Sequence, residues 1–377
     1  MFAIVLYSLF FLSVIIQCVY ALFLFRRIIS LPAGKEEIII ENKQPVSIII
    51  CAKNEADNLR KNLPAILAQR YSNAAGISLF EVIVINDASS DDTEHVLNNL
   101  ELKYDNLWHV MISADEPRTL LGKKHALSKG IAHASHNWLL LTDADCSPAT
   151  DQWLANMAAP LSAGKEIAAG YGGYYKTGGI LNTFIRWETL HTFLQYSTYT
   201  LAGKPYMAVG RNLACTKQTL QKAQASERWN TVASGDDDML VSICGNKDNM
   251  AIVAAKQAFT CSDAKRNFSA WVKQKQRHLS TGKHYQQNIK SLLGAYAFTH
   301  ALMWLTFLAL CILYPTKIIL IIMLARCIIY WSLWAVTARK LDEKNLIILF
   351  PLLDIAWMVY NFTFYPYIVS KSKQHWT

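Results

Sequence analysis

From Met1 to Phe25 the chain carries no charged residue, and Arg26-Arg27 closes the run. A helix of that length rises about 37 Å, enough to cross a hydrocarbon core. A cleaved leader would show a basic start, a shorter apolar run and a small-residue cleavage site; none is here, so 1–25 is expected to be an anchor. The arginines follow the helix, which by the positive-inside rule puts the N-terminus outside and the next domain in the cytoplasm. Three further apolar segments span about 292–314, 317–337 and 345–369, separated by Tyr314-Pro315-Thr316-Lys317 and by the basic stretch Arg339–Lys344. Four crossings would leave Lys371 and Lys373 outside, against the rule. Either the tail tolerates this or one segment is re-entrant, and the sequence leaves both open.

Between the apolar ends the period changes. Val46–Ile50, Phe80–Ile85, Leu107–Ile112 and Trp138–Leu141 are short β-branched or apolar runs. Helical patterns alternate with them at about 56–69, from Asp91, and over 123–133. Continuous apolar strands separated by helices predict an α/β domain whose mostly parallel sheet is covered on both faces. Residues 45–262 are expected to form it. The basic segment 263–290 leads into the C-terminal membrane helices of 291–370. Lys265–Lys290 holds seven Lys or Arg and no acid, interleaved with Phe268, Trp271, Val272, Leu279 and Tyr285. Such a stretch beside a membrane span reads as an interfacial helix on anionic headgroups.

Composition sharpens this picture. The formal charge is +9 and hydrophobic residues make up 52%. Mean hydropathy is positive. Because the basic residues flank apolar segments, the charge points to membrane lipids and not to nucleic acid. Eight scattered cysteines without paired spacing fit neither a disulfide framework nor a zinc site.

The strand ends carry the candidate chemistry. Ala52-Lys53-Asn54-Glu55 follows the first strand, Asn86-Asp87-Ala88-Ser89 the second, and Thr142-Asp143-Ala144-Asp145 the fourth. In a parallel sheet these ends converge on one crevice. No glycine occurs between Pro45 and Ala75, which excludes a Walker loop or dinucleotide fingerprint after the first strand. Phosphates would then be held through a hard cation, Mg²⁺ or Mn²⁺, on the carboxylates. Asp143-Ala144-Asp145 is the natural metal site.

Val46–Glu55, Val84–Asp92, Gly122–Gly130, Asp143–Asp145 and Ser234-Gly235-Asp236-Asp237-Asp238-Met239-Leu240, in that order, resemble an inverting family-2 glycosyltransferase of the GT-A fold, membrane-bound and polysaccharide-synthase-like. The resemblance implies a hexosyl transfer from a nucleotide-sugar donor. Ala52, Asn54 and Glu55 would line the nucleotide pocket, Asp87 would bind the base and Lys123 would lie near the diphosphate. Asp143 would support the donor and Asp145 would ligate the metal. Gly210-Arg211-Asn212 would shape the donor–acceptor junction. Asp236 aligns with the catalytic base, with Asp237 as a competitor because Gly235 replaces the acid that usually precedes the base. Gln274, Arg277 and His278 resemble a Gln-x-x-Arg-Trp motif on the acceptor side, with His278 in place of the tryptophan.

The chemistry is consistent with these roles. A glycosyl phosphate bond breaks with charge building on the diphosphate, and a weak hydroxyl nucleophile needs a carboxylate to take its proton. Direct displacement inverts the anomeric centre with a single base. Tethering at both ends favours a lipid-linked or membrane-associated glycan acceptor over a soluble one. A synthase subunit acting with partner subunits, a nucleotidyltransferase and a non-catalytic membrane scaffold are the competing readings. Plainer roles are expected elsewhere: Trp187 and Tyr196 as packing, and Arg326 and Asp354 as functional membrane residues or as a mutual pair.

Overall fold

The computed structural model describes residues 1–32, 40, 43–118, 120–230, 232 and 235–369. Ser234 of the acidic motif, and Lys371 and Lys373 of the topology argument, lie outside the described residues.

Among the described residues ten strands form: β1 Val46–Ala52, β2 Phe80–Asp87, β3 Leu107–Ile112, β4 Trp138–Asp143, β5 Cys146–Pro148, β6 Ile167–Gly170, β7 Gly172–Tyr174, β8 Leu213–Thr216, β9 Met250–Val253 and β10 Thr260–Ser262. Seven make one sheet in the order β3-β2-β1-β4-β8-β6-β9. Its pairings are parallel except at β8, which runs against both β4 and β6. This is the mostly parallel α/β architecture expected from the alternation of strands and helices. β1 sits in the middle and is buried along its whole length. Its alternate residues feed two cores, as the two-residue period of a strand requires. Ile48 and Ile50 pack with Leu59, Leu63 and Trp153; Ile49 and Cys51 pack with Leu127 and Ile131.

β5, β10 and β7 form a second sheet of three short strands. These, with β6, β8 and β9, had no period to read, because strands of three or four residues are too short to show one. The first and fourth expected strands extend to Ala52 and Asp143, so the polar ends are part of the sheet. Register fixes them beside one another: Ala52 is opposite Asn86, and Cys51 opposite Asp143.

Among the described residues four helices are long and apolar enough to cross a membrane: Phe2–Ser30, Gln287–Leu313, Lys317–Lys340 and Lys344–Phe364. The first packs along Gln287–Leu313, and Gln17 Nε2 donates to Tyr296 O (3.0 Å) and Thr299 Oγ1 (2.9 Å). Arg326 and Asp354 pair, and His300 Nε2 joins Asp354 Oδ1 at 2.7 Å. Satisfying each charge with another inside the bundle removes most of the penalty for placing them there.

The loop before the last helix is fastened to the soluble domain. Buried Glu343 pairs with buried Arg186 of the helix Ile180–Leu201, and Asp342 reaches Lys176 (3.0 Å) and Lys256 (3.2 Å). The basic helix Phe268–Leu279 leaves Phe268 exposed and turns Trp271 and Lys275 inward. Lys275 pairs with buried Glu188, a use the basic stretch alone did not reveal.

Candidate functional site

At the carboxyl end of β1, Asn54 adopts a left-handed φ of 56°. Its N–H donates to Ser89 Oγ (2.9 Å), and its Oδ1 accepts from Ser90 N–H (2.8 Å). Ala56 N–H donates to Asp91 Oδ2 (3.1 Å), so the loops after β1 and β2 are stitched together. Asn is among the few residues that tolerate this backbone. Glu55 begins the next helix, and burial raises its carboxyl above the usual range. Asp87 ends β2 fully buried, with both oxygens taken by Arg118, Nη1 at 3.0 Å and Nη2 at 2.6 Å. Arg118 lies in a stretch without periodicity, where no local pattern marks it.

β4 delivers Asp143, which pairs with Lys123 at the start of the helix Lys124–His133. Burial works to raise Asp143, but the Lys123 ammonium outweighs it and holds the carboxyl below its usual range. Among the described residues no ion pair engages Asp145; burial and then the Asp143 charge push it up against the pull of Arg211. Oxygens of Asp143 and Asp145 and the Cys146 sulfur lie within 4.8 Å of one another. Arg211 approaches from the turn just before β8, braced by Gly172 O (2.8 Å), Ser262 Oγ (3.0 Å) and the Tyr174 ring (4.3 Å).

The three acids of the helix Asp236–Cys244 have distinct surroundings. Asp238 is buried and accepts from Thr281 Oγ1 and Tyr285 OH, both at 2.7 Å; burial drives its carboxyl well above the usual range. Asp237 Oδ2 accepts from Gly210 N–H (2.6 Å) and Oδ1 from Asp238 N–H (3.0 Å). Burial, then the Asp236 charge, lifts Asp237 to about 6. Among the described residues, no hydrogen bond engages the Asp236 carboxylate, which lies close enough to act electrostatically on Lys123. Burial holds Lys124 down to about 8, and its ammonium donates to Trp229 O and Val232 O, both at 2.6 Å, bracing the approach to this helix.

These groups share one crevice of about 1120 Å³. Glu55, Lys123, Asp143 and Asp145 line one part, and Gly210, Arg211, Asp236 and Asp237 another. Gln274, Arg277 and His278 line a third. His278 opens onto the crevice, while the dense surroundings and then the Lys275 and Arg277 charges hold its imidazole neutral. Beyond it the crevice continues between Glu188, Lys275, Tyr296 and Trp357, two of them from the apolar helices. Glu188 is the lone acid of its 22-residue helix, which is the signal that could have singled it out.

Four of the sequence candidates lie off these walls. Ala52 is buried in the sheet, Asn54 is exposed in the neighbouring loop, and Asp87 is occupied by Arg118. Asn212 faces the core: its Nδ2 donates to Tyr171 O (3.0 Å) and Ala258 O (2.7 Å), and its Oδ1 accepts from Trp153 Nε1 (2.9 Å). It braces the Arg211 loop from behind. Asn212→Ala would strand three buried polar groups, each costing about 1–3 kcal/mol. A large fall in melting temperature is therefore expected, with donor affinity retained by the folded fraction. Unchanged melting with weakened substrate binding would instead put Asn212 at the crevice wall.

Comparison with known proteins agrees with this geometry. Residues 47–217 match glycosyl transferase family 2, and residues 138–359 match glycosyl transferase family group 2. Glycosyltransferase AglE of Haloferax volcanii is 33% identical over 136 residues, 36% of this chain and 41% of that protein. A poly-beta-1,6-N-acetyl-D-glucosamine synthase of Staphylococcus aureus is 29% identical over 111 residues, 29% of this chain and 24% of the synthase. The chain thus matches less than half the length of these relatives. A mannosyltransferase from Pyrobaculum calidifontis, solved with GDP-Man and Mn²⁺, shares the fold with a TM-score of 0.55 at 15% identity, over 96% of this chain and 99% of that one. With the second family match running from the acidic strand end through the apolar helices, the chain belongs to glycosyl transferase family group 2.

Proposed function

We propose that the protein transfers a sugar from a nucleotide-diphosphate sugar to a lipid-linked or membrane-associated glycan, with inversion, in a crevice facing the cytoplasm. The observation that carries this reading is the crevice itself. It joins the acidic strand ends to Tyr296 and Trp357 of two apolar helices, so an acceptor held in the membrane has a continuous path to Asp145. The catalytic residues 45–262 are tied to apolar helices on both sides, which confines reaction to a layer near the headgroups and raises the effective concentration of a membrane-borne acceptor.

Asp236 is our choice of base. Asp237 and Asp238 are engaged by hydrogen bonds, whereas the Asp236 carboxylate remains available to take the proton of an attacking hydroxyl. The acceptor oxygen bonds to the anomeric carbon as the bond to the nucleoside diphosphate breaks, and the single displacement inverts that carbon. Lys123 and Arg211 present positive charge to the departing diphosphate.

The residues fit a divalent cation. Two carboxylates face the crevice within 4.8 Å, and among the described residues no ion pair engages Asp145 as Lys123 engages Asp143. Asp145 would hold Mg²⁺ or Mn²⁺ with support from Asp143, and the neutral buried Cys146 thiol, a soft donor, is an unsuitable third ligand. When bound, the cation would neutralise charge on the diphosphate.

The test is a screen of nucleotide sugars with the protein in mild detergent, followed by NMR of the product's anomeric centre. Release of a nucleoside diphosphate with an inverted product supports the reading. A retained configuration contradicts it.

A further inference from the structure

By length and composition the last apolar helix, Lys344–Phe364, could be a fourth crossing. We propose instead that it lies along the membrane face beneath the catalytic domain, as the floor of the crevice. The chain then crosses three times, and the end of this helix returns to the catalytic side.

The two ends of the helix carry the argument. Just before it, Glu343 pairs with Arg186 of the catalytic domain. Near its far end, the Phe364 ring lies 5.4 Å from Trp271, and Tyr360 lies 5.9 Å from Phe184. Phe184 belongs to the catalytic-domain helix Ile180–Leu201 and Trp271 to the basic helix that follows the domain, and Tyr174 of β7 joins the same cluster. From Phe350 to Phe364 the helix rises about 21 Å. A span crossing a core of about 30 Å carries its far end away from the domain that grips its near end. Here one domain grips both. The other three apolar helices behave as spans: their distal ends meet one another, with Tyr7 OH donating to Tyr314 O (3.0 Å), Phe10 lying 6.1 Å from Phe307, and Ile319 and Met323 of Lys317–Lys340 in the same apolar cluster as Phe10 and Leu310.

The two faces of the helix agree with an in-plane position. Leu352, Val359 and Phe362 are exposed, while Asp354, Trp357 and Tyr360 are buried. Among the described residues Trp357 Nε1 and Asn361 Nδ2 are buried donors without a hydrogen-bond partner, and both residues line the crevice, where water or a ligand hydroxyl can satisfy them. Three crossings also put Lys371 and Lys373 on the side of Arg26, Arg27 and Arg339, as the positive-inside rule prefers. The inference extends the membrane-acceptor reading but does not depend on it, since sidedness is measured without turnover.

The experiment compares three single cysteines in the full chain: Ala225→Cys on the catalytic domain, Thr316→Cys between the second and third spans, and one appended after Thr377. Each is exposed to an impermeant maleimide in intact cells and in inverted vesicles, with the native protein as background. The appended cysteine is expected to label from the face that labels Ala225→Cys and opposite to Thr316→Cys. Labelling from the Thr316→Cys face overturns the proposal. An epitope tag placed after Thr377 and clipped by added protease gives a second reading. Removal from the Ala225 face supports the in-plane helix, and removal only from the opposite face overturns it.

Discussion

Asp236→Asn is expected to lower kcat by about 10²–10⁴-fold, the usual contribution of a positioned general base, while donor affinity stays close to that of the native protein. The amide keeps the size of the side chain and loses its capacity to accept a proton. Asp237→Asn provides the contrast. Its amide oxygen can still accept from Gly210 N–H, so the junction loop keeps its place and the expected loss is about threefold or less. Asp238→Asn would disturb the bonds from Thr281 and Tyr285 and act through stability. Steady-state kinetics alongside nucleoside-diphosphate binding separate the three cases. If Asp237→Asn shows the large kcat loss and Asp236→Asn does not, the base moves by one residue.

The second large effect is expected at Asp145. Asp145→Asn should reduce transfer by about 10²–10³-fold, comparable to removing a preorganised electrostatic contact from a transition state. It should also remove the Mn²⁺-dependent part of nucleoside-diphosphate binding measured by calorimetry. Chelation of the native protein should reproduce both results. Lys123 already neutralises Asp143, so Asp145 is the carboxylate left to hold an added cation. Full activity in chelator would remove the metal from the account.

Much of this site was legible in the sequence, for a physical reason. Strands β1, β2 and β4 are long, apolar and followed by acids, and a parallel sheet brings such ends together without further information. The long apolar helices were equally readable, because a run of about twenty apolar residues stands out from any alternation. What escaped was tertiary pairing. Arg118 closing on Asp87, Lys275 on Glu188 and Arg186 on Glu343 join residues far apart in the chain, and no period records them. Asn212 shows the converse limit. The resemblance put it at the donor–acceptor junction, but one residue past Arg211, just before β8, its side chain turns into the core. The short strands that carry the braces of Arg211 were illegible because their stability comes from neighbours and not from local pattern.

The central claim is transfer to an acceptor that arrives from the membrane. It is tested most directly by incubating membranes containing the protein with radiolabelled nucleotide sugar and partitioning the product between organic and aqueous phases. The account predicts label in a solvent-extractable glycolipid or a membrane-associated glycan, lost in the Asp236→Asn protein. Label confined to small water-soluble sugars would contradict it.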